Sequence, residues 1–167
     1  MSHSVSEGTF SCGAPAPEDV DGILALQDAN QIERGGSLSA RFPREWFLQA
    51  MAHAALLVAR RDGVVIGYVA FTSRELQAHV PIIQVMLQAY DHPGAYLHGP
   101  ICVVATERRR GVAQALLRAQ REHCGHAPLQ SFIRADNLAS RGAHRAAGLR
   151  EVAEFSLGGA RYVVVVG

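Results

Sequence analysis

Apolar residues along the chain follow two spacings, one typical of β-strands and one typical of α-helices. Short apolar runs bounded by turn residues predict strands, whereas apolar positions three and four residues apart predict helices. The predicted strands are Thr9–Gly13, Ala55–Ala59, Val64–Thr72, Tyr96–Val104, Leu129–Ile133, Leu149–Phe155 and Ala160–Val166. The predicted helices run from Pro17 to about Ala29, from Pro43 past Met51, and over Val80–Gln88, Gly111–Cys124 and Leu138–Ala147.

The order of these elements places a strand–helix–strand–helix unit in the middle of the chain, with hairpins on both sides. This order predicts the α/β class, more narrowly an α+β mixed sheet with helices on its faces. A chain of 167 residues suits one domain. We therefore expect a single domain over residues 9–167, preceded by a flexible tail over residues 1–8. Asn30–Ser39 is a long loop between the first two helices.

Charge and composition argue against several classes of partner. A formal net charge of +1 and few aromatic residues argue against nucleic acid. No apolar run approaches the roughly 18 residues that span a bilayer, so we expect no membrane association and a cytoplasmic protein. Cys12, Cys102 and Cys124 are expected to be reduced thiols. His123–His126 is interpreted as a helix end, because no second ligand cluster accompanies it, and no metal is expected.

The most informative segment joins a predicted buried strand to a predicted helix through Arg108–Ala113. Backbone amides at the start of a helix lack internal partners and bind anions. Gly111 lets the backbone approach a ligand, Ala113 keeps the helix near the strand, and the arginines add positive charge. A basic turn before an ordinary helix is the alternative interpretation. The candidate cofactor-binding residues in this segment are Ile101, Cys102, Val103, Arg108, Arg109, Arg110, Gly111, Val112, Ala113 and Gln114.

The spacing of Arg108, Gly111 and Ala113 resembles the coenzyme A motif of the GNAT superfamily of N-acetyltransferases, which reads Gln/Arg-x-x-Gly-x-Gly/Ala. A second segment, Asn137–Leu149, resembles the family pattern Asn-x-x-Ala/Ser-x-x-Leu-Tyr-x-x-x-Gly-Phe. The resemblance covers about residues 9–166, with specific motifs over 101–149. It implies a GNAT-like acyl-CoA N-acyltransferase fold, with a central, mostly antiparallel sheet and helices on both faces. It also implies acetyl-CoA as the donor, with its pyrophosphate on the amides of the turn.

The resemblance gives Asn137 a role at the pantetheine arm or the sulfur, with Ser140 as a further cofactor-binding residue. Asn137 also suits the N-cap of the helix, and the two roles are compatible. His144 stands where the family usually has a tyrosine that protonates the leaving thiolate. A histidine with a pKa near about 6.5 is protonated only part of the time at neutral pH. His144 is therefore predicted to be the acid or to hydrogen-bond the sulfur, with a solvated helix residue as the alternative.

His98 is the preferred general base, because it lies on the strand expected to line the cleft and its ordinary pKa suits proton abstraction. Glu107 is a weaker candidate, since a residue in the turn is expected to be solvated. Gly99-Pro100 is expected to interrupt the strand as a bulge or splay, with a strand that begins at Ile101 as the alternative. The residues expected near the acceptor are Asp91, His92, Tyr96, Arg34, Arg41 and the loop Ser37–Arg41.

We therefore expect an N-acetyltransferase that moves the acetyl group of acetyl-CoA to a primary amine of a small molecule, by direct attack in a ternary complex. Cys102 lies in an apolar strand, which argues against an acetyl-cysteine route. Two alternatives stay open: acetylation of a protein amine, and a non-catalytic acyl-CoA-binding sensor or regulatory module. The oligomeric state is also left open, with a homodimer as one option.

Overall fold

The computed structural model describes residues 9–36, 38 and 40–167, so the tail predicted over residues 1–8 lies outside the described residues. Seven strands and six helices are defined in this part of the chain. The strands are β1 (Ser11–Gly13), β2 (Leu56–Arg61), β3 (Val64–Thr72), β4 (Tyr96–Val103), β5 (Leu129–Arg134), β6 (Arg150–Leu157) and β7 (Ala160–Val166). The helices are α1 (Val20–Ala29), α2 (Arg44–Ala52), α3 (Arg74–Gln77), α4 (Pro81–Ala89), α5 (Val112–His123) and α6 (Leu138–Ala146).

The strands form one sheet in the order β1-β2-β3-β4-β5-β7-β6. The pairs β1–β2, β2–β3, β5–β7 and β6–β7 are antiparallel, and β4–β5 is parallel. Parallel neighbours need a crossover, and α5 lies between β4 and β5 in the chain. The predicted α/β class with a mostly antiparallel sheet is therefore confirmed.

The chain divides into two compact units. The first contains the described residues up to Ala70 together with Pro100–Gln120. Its core includes a chain of ring contacts from Phe42 through the aromatic residues of α2 to Tyr68. Gln27 of α1 fixes this cluster, because its side chain accepts from the amide of Phe42 and donates to the carbonyl of Phe42, both at 2.8 Å.

The second unit contains Phe71–Gly99 and Arg121–Gly167. Its centre is β7, which buries apolar residues on both of its faces because successive side chains of a strand point to opposite sides. Tyr162 and Val164 pack with α4 and β4, whereas Val163 and Val165 pack with β5. The single domain predicted over residues 9–167 stays a prediction, since the compactness of each unit does not decide whether either folds alone.

Two features of the first half differ from the sequence expectation. The first strand is shorter than predicted, because pairing with β2 begins at Ser11. The helix α3 is absent from the prediction, because four residues are too few to show a helical period. The helix predicted over Val80–Gln88 is confirmed as α4, which begins at Pro81, where the missing amide proton of proline costs nothing.

The strand β4 runs through Gly99 and Pro100 without the predicted interruption. Gly99 has a φ of +115°, a conformation that strains any residue with a Cβ atom. Within the described residues, β4 pairs with β5 at Tyr96 and Leu97, so the ladder stops short of this glycine. The irregularity therefore lies in the pairing with β5, and the alternative strand that begins at Ile101 is wrong.

Asp19 holds the start of α1, so its replacement tests the stability of the first unit. Its carboxylate accepts from the amide of Ala16 at 2.7 Å and from the guanidinium of Arg60, and Asp19 is 8% exposed. The same hydrogen bond from Arg60 lowers the pKa of the Asp19 carboxyl. Replacing Asp19 with Ala leaves these donors without their acceptor, and should lower the free energy of unfolding by about 1–3 kcal/mol.

The measurement is urea unfolding at neutral pH, with Asp21→Ala as the matched control. The side chain of Asp21 is 82% exposed and pairs with Arg44 at the surface, so its loss should cost under about 1 kcal/mol. Equal losses for the two variants would contradict the role of Asp19.

Candidate functional site

The segment between β4 and α5 forms a turn whose last amides stand outside the helical ladder. Ala105–Glu107 is a single 3₁₀ turn, and α5 begins at Val112. Among the described residues, the first bond that closes onto the helix runs from the amide of Ala115 to the carbonyl of Gly111, at 3.0 Å. The amides of Gly111, Val112 and Ala113 precede that bond, so they are the donors that a helix start offers to an anion.

The backbone of this turn adopts two left-handed conformations. Arg109 has a φ of +63° and Gly111 a φ of +84°. A Cβ atom built on Gly111 meets nothing within 4 Å, so glycine is required there by conformation and leaves open space in front of the amides. Turns of this kind gather successive N–H groups into an anion-binding concavity. The residues present therefore fit a pyrophosphate group.

The three arginines of the turn have different environments. The guanidinium of Arg108 donates to the side-chain oxygen of Asn30, which ties the turn to the end of α1 within the first unit. Arg109 is exposed, and Arg110 is 62% exposed with Nη1 at 3.9 Å from the carboxylate of Glu107. All three arginines are exposed, and Arg108 differs from the other two in that its guanidinium is engaged by Asn30.

Glu107 is held as an ionised partner of Arg61, an arrangement that disfavours the general-base role considered for it. Its two carboxylate oxygens accept from Nε and Nη2 of Arg61 at 2.9 and 3.0 Å. This bidentate bond lowers the pKa of the Glu107 carboxyl, so the group is a weaker base than an ordinary carboxylate. Glu107 is 9% exposed, contrary to the solvated position expected for it.

Cys102 of β4 belongs to the core of the first unit. It is 5% exposed, and Sγ lies 3.8 Å from the carbonyl of Leu26. Burial raises the pKa of the Cys102 thiol to about 12, which makes it a poor nucleophile, as expected. A contribution of Cys102 to cofactor binding is therefore limited to its backbone. Its neighbours Ile101 and Val103 are half-buried.

His98 and His144 meet inside the second unit, although 46 residues separate them in the chain. Their Nε2 atoms lie 2.9 Å apart, and the two residues are 4% and 3% exposed. The sequence predicts one as a base and the other as an acid, but not that they share a hydrogen bond. Burial also excludes the alternative of a solvated helix residue for His144.

The other nitrogen of His144 faces its own helix. Nδ1 lies 2.7 Å from the backbone carbonyl of Ser140 and 3.3 Å from the Ser140 hydroxyl. Burial lowers the pKa of His144, and the hydrogen bond to the Ser140 carbonyl opposes this shift in part. Near neutral pH the folded His144 ring is therefore charged in a smaller fraction of molecules than an ordinary histidine.

Asn137 caps α6 as its residue type predicts. Its side-chain oxygen accepts from the amide of Ser140 at 3.1 Å. Asn137 therefore sets where the helix begins, and with it the position of the Ser140 carbonyl one turn before His144. The role of Asn137 and Ser140 at the cofactor stays a prediction.

Two buried glutamines that sequence reasoning misses hold the segments around His98. Nε2 of Gln77 donates to the Thr72 hydroxyl at 2.7 Å and reaches the carbonyl of Gly99 at 3.5 Å. Gln130 accepts from the amide of His92 and donates to the carbonyl of Tyr90, both at 2.8 Å. A glutamine within the apolar run of β5 is the sequence signal that points to such a role, because a buried amide needs partners.

The residues expected near the acceptor divide into paired side chains and an exposed one. Asp91 pairs with Arg74 at 2.6 Å, and Arg74 also donates to the carbonyl of His92 at 2.7 Å. Tyr96 is 38% exposed. In the first unit, Arg34 and Arg41 both pair with Asp28, so a carboxylate on an acceptor would compete with that residue.

Ser37 and Ser39 of the predicted covering loop lie outside the described residues.

The structure shows no group of three or more metal-ligating side chains in the residues it describes. His123 is the last residue of α5 and packs against the ring of Phe71, with 5.4 Å between ring centroids. No helix in the described ranges is long and apolar enough to cross a membrane.

Comparison with known proteins identifies one family. The model of the acetyltransferase (GNAT) family matches residues 23–149. An N-acetyltransferase from Staphylococcus aureus Mu50 is 20% identical with a TM-score of 0.70, over 95% of this chain and 98% of that chain. A ribosomal-protein-alanine N-acetyltransferase from Brucella melitensis is 19% identical with a TM-score of 0.71, over 94% and 98%. The yncA protein from Salmonella typhimurium, solved with its cofactor acetyl-CoA, is 16% identical with a TM-score of 0.71, over 95% and 92%. No curated protein matches the chain.

The lowered pKa of His144 predicts a loss of stability on mild acidification. Below the ordinary value of 6.5, unfolded His144 takes up a proton that folded His144 does not, so the unfolded state is favoured. Between 6.5 and the lower folded pKa, the wild-type free energy of unfolding should fall by up to about 1.4 kcal/mol per pH unit more than that of His144→Gln.

Urea unfolding from pH 7.5 to 5.5 measures this difference, with the exposed His79→Gln as the control that keeps the wild-type slope. Parallel curves for wild type and His144→Gln would show that folded His144 is protonated as readily as an unfolded histidine.

Proposed function

Because the chain belongs to the GNAT acetyltransferase family and is an acyltransferase, we propose that it transfers the acetyl group of acetyl-CoA to a primary amine of a small molecule. The observation that carries this proposal is the turn before α5. It offers the amides of Gly111, Val112 and Ala113 beside the exposed Arg109 and Arg110. An anionic pyrophosphate matches both the donors and the charge of this turn.

Donor binding is assigned to the two segments that resemble the family motifs. Residues 108–114 hold the pyrophosphate, and the backbone of residues 101–103 lies along the pantetheine arm. Asn137 and Ser140 at the start of α6 are proposed to contact the arm as well, in addition to their capping bond. Acetyl-CoA supplies the activated thioester, and side chains of this protein accept and donate the protons of the reaction.

Direct attack of the amine in a ternary complex is supported by the state of the cysteines. All three are free thiols, and burial raises the pKa of each, to about 12 at Cys102 and about 11 at Cys124. Thiols with such values hold little thiolate at neutral pH, so none suits an acetyl-enzyme route. Free thiols also suit a reducing compartment, and we place the protein in the cytoplasm.

The proton chemistry is assigned to the two buried histidines. An amine must lose a proton as it attacks, and the leaving sulfur must gain one. His98 and His144 are two imidazoles able to carry this proton, and they share a hydrogen bond of 2.9 Å.

The acceptor is tested by thiol release from acetyl-CoA across a panel of amines at one enzyme concentration. The panel pairs small primary amines with peptides that carry the same amine at an N-terminus or on lysine. Faster release with the small amines is expected. A preference for peptides would replace the small-molecule acceptor by a protein amine, in line with the Brucella melitensis neighbour named above. Tight binding of CoA without release for any amine would favour a sensor.

Gly111→Asp should strongly weaken donor binding, because it places a carboxylate in front of the amides proposed to hold the pyrophosphate. Juxtaposed like charges cost several kcal/mol, so a loss of about 2–3 kcal/mol, or roughly 30- to 150-fold in Kd, is expected. Isothermal titration with CoA gives this value.

Gly111→Ala is the matched variant, since it carries the same strain at a φ of +84° without the charge. Gly125→Asp is a second control, with a φ of +63° and open space beyond α5. Unchanged CoA affinity in Gly111→Asp would remove the turn from the donor site.

A further inference from the structure

Both ring nitrogens of His144 are engaged within the second unit. Nδ1 faces the Ser140 carbonyl at 2.7 Å, and Nε2 faces Nε2 of His98 at 2.9 Å. A carbonyl oxygen accepts but never donates, so Nδ1 of His144 must carry the proton of this hydrogen bond. In the neutral ring, Nε2 of His144 then holds a lone pair.

The tautomer of His98 follows from that of His144. A hydrogen bond between two nitrogens needs one proton, and His144 does not supply it. His98 therefore carries its proton on Nε2 and donates it to His144. When the His98 ring is neutral, its lone pair is then on Nδ1. His98 therefore donates to His144, and His144 donates to the backbone carbonyl of Ser140 in α6.

We propose that His144 is a positioning residue, which holds His98 in the tautomer whose Nδ1 accepts the amine proton, and that it is not the acid for the thiolate. The inference rests on the proposed acetyl transfer and refines the part that His144 plays in it. It corrects the role that the usual tyrosine of the family suggests for this position. Ser140 contributes its backbone carbonyl, which accepts from Nδ1 of His144 and so sets the tautomer of that ring.

The two roles predicted from sequence exclude one another in the resting pair. An acidic His144 would need a proton on Nε2, where it would meet the proton on Nε2 of His98. Avoiding that clash requires His98 to move its proton to Nδ1, and His98 then has no lone pair for the amine. With one shared proton, a basic Nδ1 on His98 therefore requires an unprotonated Nε2 on His144.

The reaction balances with one proton and no further reactant. The amine nitrogen forms a bond to the acetyl carbon, while the carbon–sulfur bond breaks and leaves its electron pair on sulfur. The amine proton passes to Nδ1 of His98, which becomes an imidazolium whose Nε2–H still donates to His144. The same Nδ1 then returns the proton to the thiolate. The bond from Nδ1–H of His144 to the Ser140 carbonyl makes Nε2 of His144 a better acceptor, which stabilises the imidazolium.

The first test reads the tautomers directly in the full chain without CoA. Long-range ¹H–¹⁵N correlation spectra of the ¹⁵N-histidine protein distinguish nitrogens with and without a proton. Resonances are assigned from the single variants His98→Gln and His144→Gln. The expected pattern is a protonated Nδ1 and bare Nε2 for His144, with the reverse for His98. A protonated Nε2 on His144 would overturn the proposal.

The second test separates positioning from acid catalysis with two variants of one residue. Gln places its amide oxygen as many bonds from Cβ as Nε2 of histidine, so it accepts from His98 but cannot deliver a proton at neutral pH. His144→Phe can do neither. Loss of an orienting partner commonly costs about 10- to 100-fold, so that fall in kcat is expected for His144→Phe, with the KM for acetyl-CoA little changed. His144→Gln should stay within about fivefold of wild type.

The variant His79→Gln replaces an exposed histidine of the same unit and serves as the control. Its kcat should match that of wild type. A His144→Gln variant as slow as His144→Phe would overturn the positioning role while leaving acetyl transfer intact. Absence of acetyl transfer by wild type would instead defeat the proposed function. In that case the tautomer spectra still decide the arrangement of the pair, as they also do if His144→Phe does not fold.

Discussion

A hydrogen bond between two buried imidazoles has room for one proton, and the catalytic roles proposed for His98 and His144 depend on which ring carries it. The 2.9 Å contact between His98 and His144 does not settle the question by itself, because either ring is able to donate. The carbonyl of Ser140 settles it, since a group that only accepts forces the proton of His144 onto the far nitrogen. A main-chain atom of α6 thereby decides the state of a side chain on β4.

The surrounding structure keeps these three groups in place with buried polar contacts. Asn137 fixes the first turn of α6, and Gln130 fastens the segment that leads into β4. Gln77 reaches the carbonyl of Gly99, directly after His98. β7 supplies the apolar support, because its two faces both pack into clusters. Fixed partners of this kind matter more for buried polar groups than for apolar ones, whose packing has no direction.

Sequence reasoning succeeds where the chemistry is local. The turn at Gly111 and the cap at Asn137 each rest on neighbours in the chain, so both can be inferred from the residues alone. The pairing of His98 with His144 depends on a tertiary contact across 46 positions, which no local pattern reveals. The burial of Glu107 is hidden from the sequence for the same reason, since its partner Arg61 lies in a distant hairpin. The engagement of Arg108 with Asn30 is likewise invisible to a motif.

The bidentate bond between Arg61 and Glu107 has a practical consequence for anyone who modifies this protein. Arg61 is the last residue of β2, and its guanidinium also donates to the carbonyl of Thr9 at 2.9 Å. The β2–β3 hairpin tip at Asp62 and Gly63 is exposed and looks like a convenient place for an inserted tag or a grafted loop. Because Arg61 beside that tip binds the carboxylate of Glu107, an insertion there would disturb the turn before α5 from a distance. The β6–β7 hairpin tip at Gly158 and Gly159 is the safer attachment point, since both glycines are exposed and lie in a hairpin that does not contain Arg61.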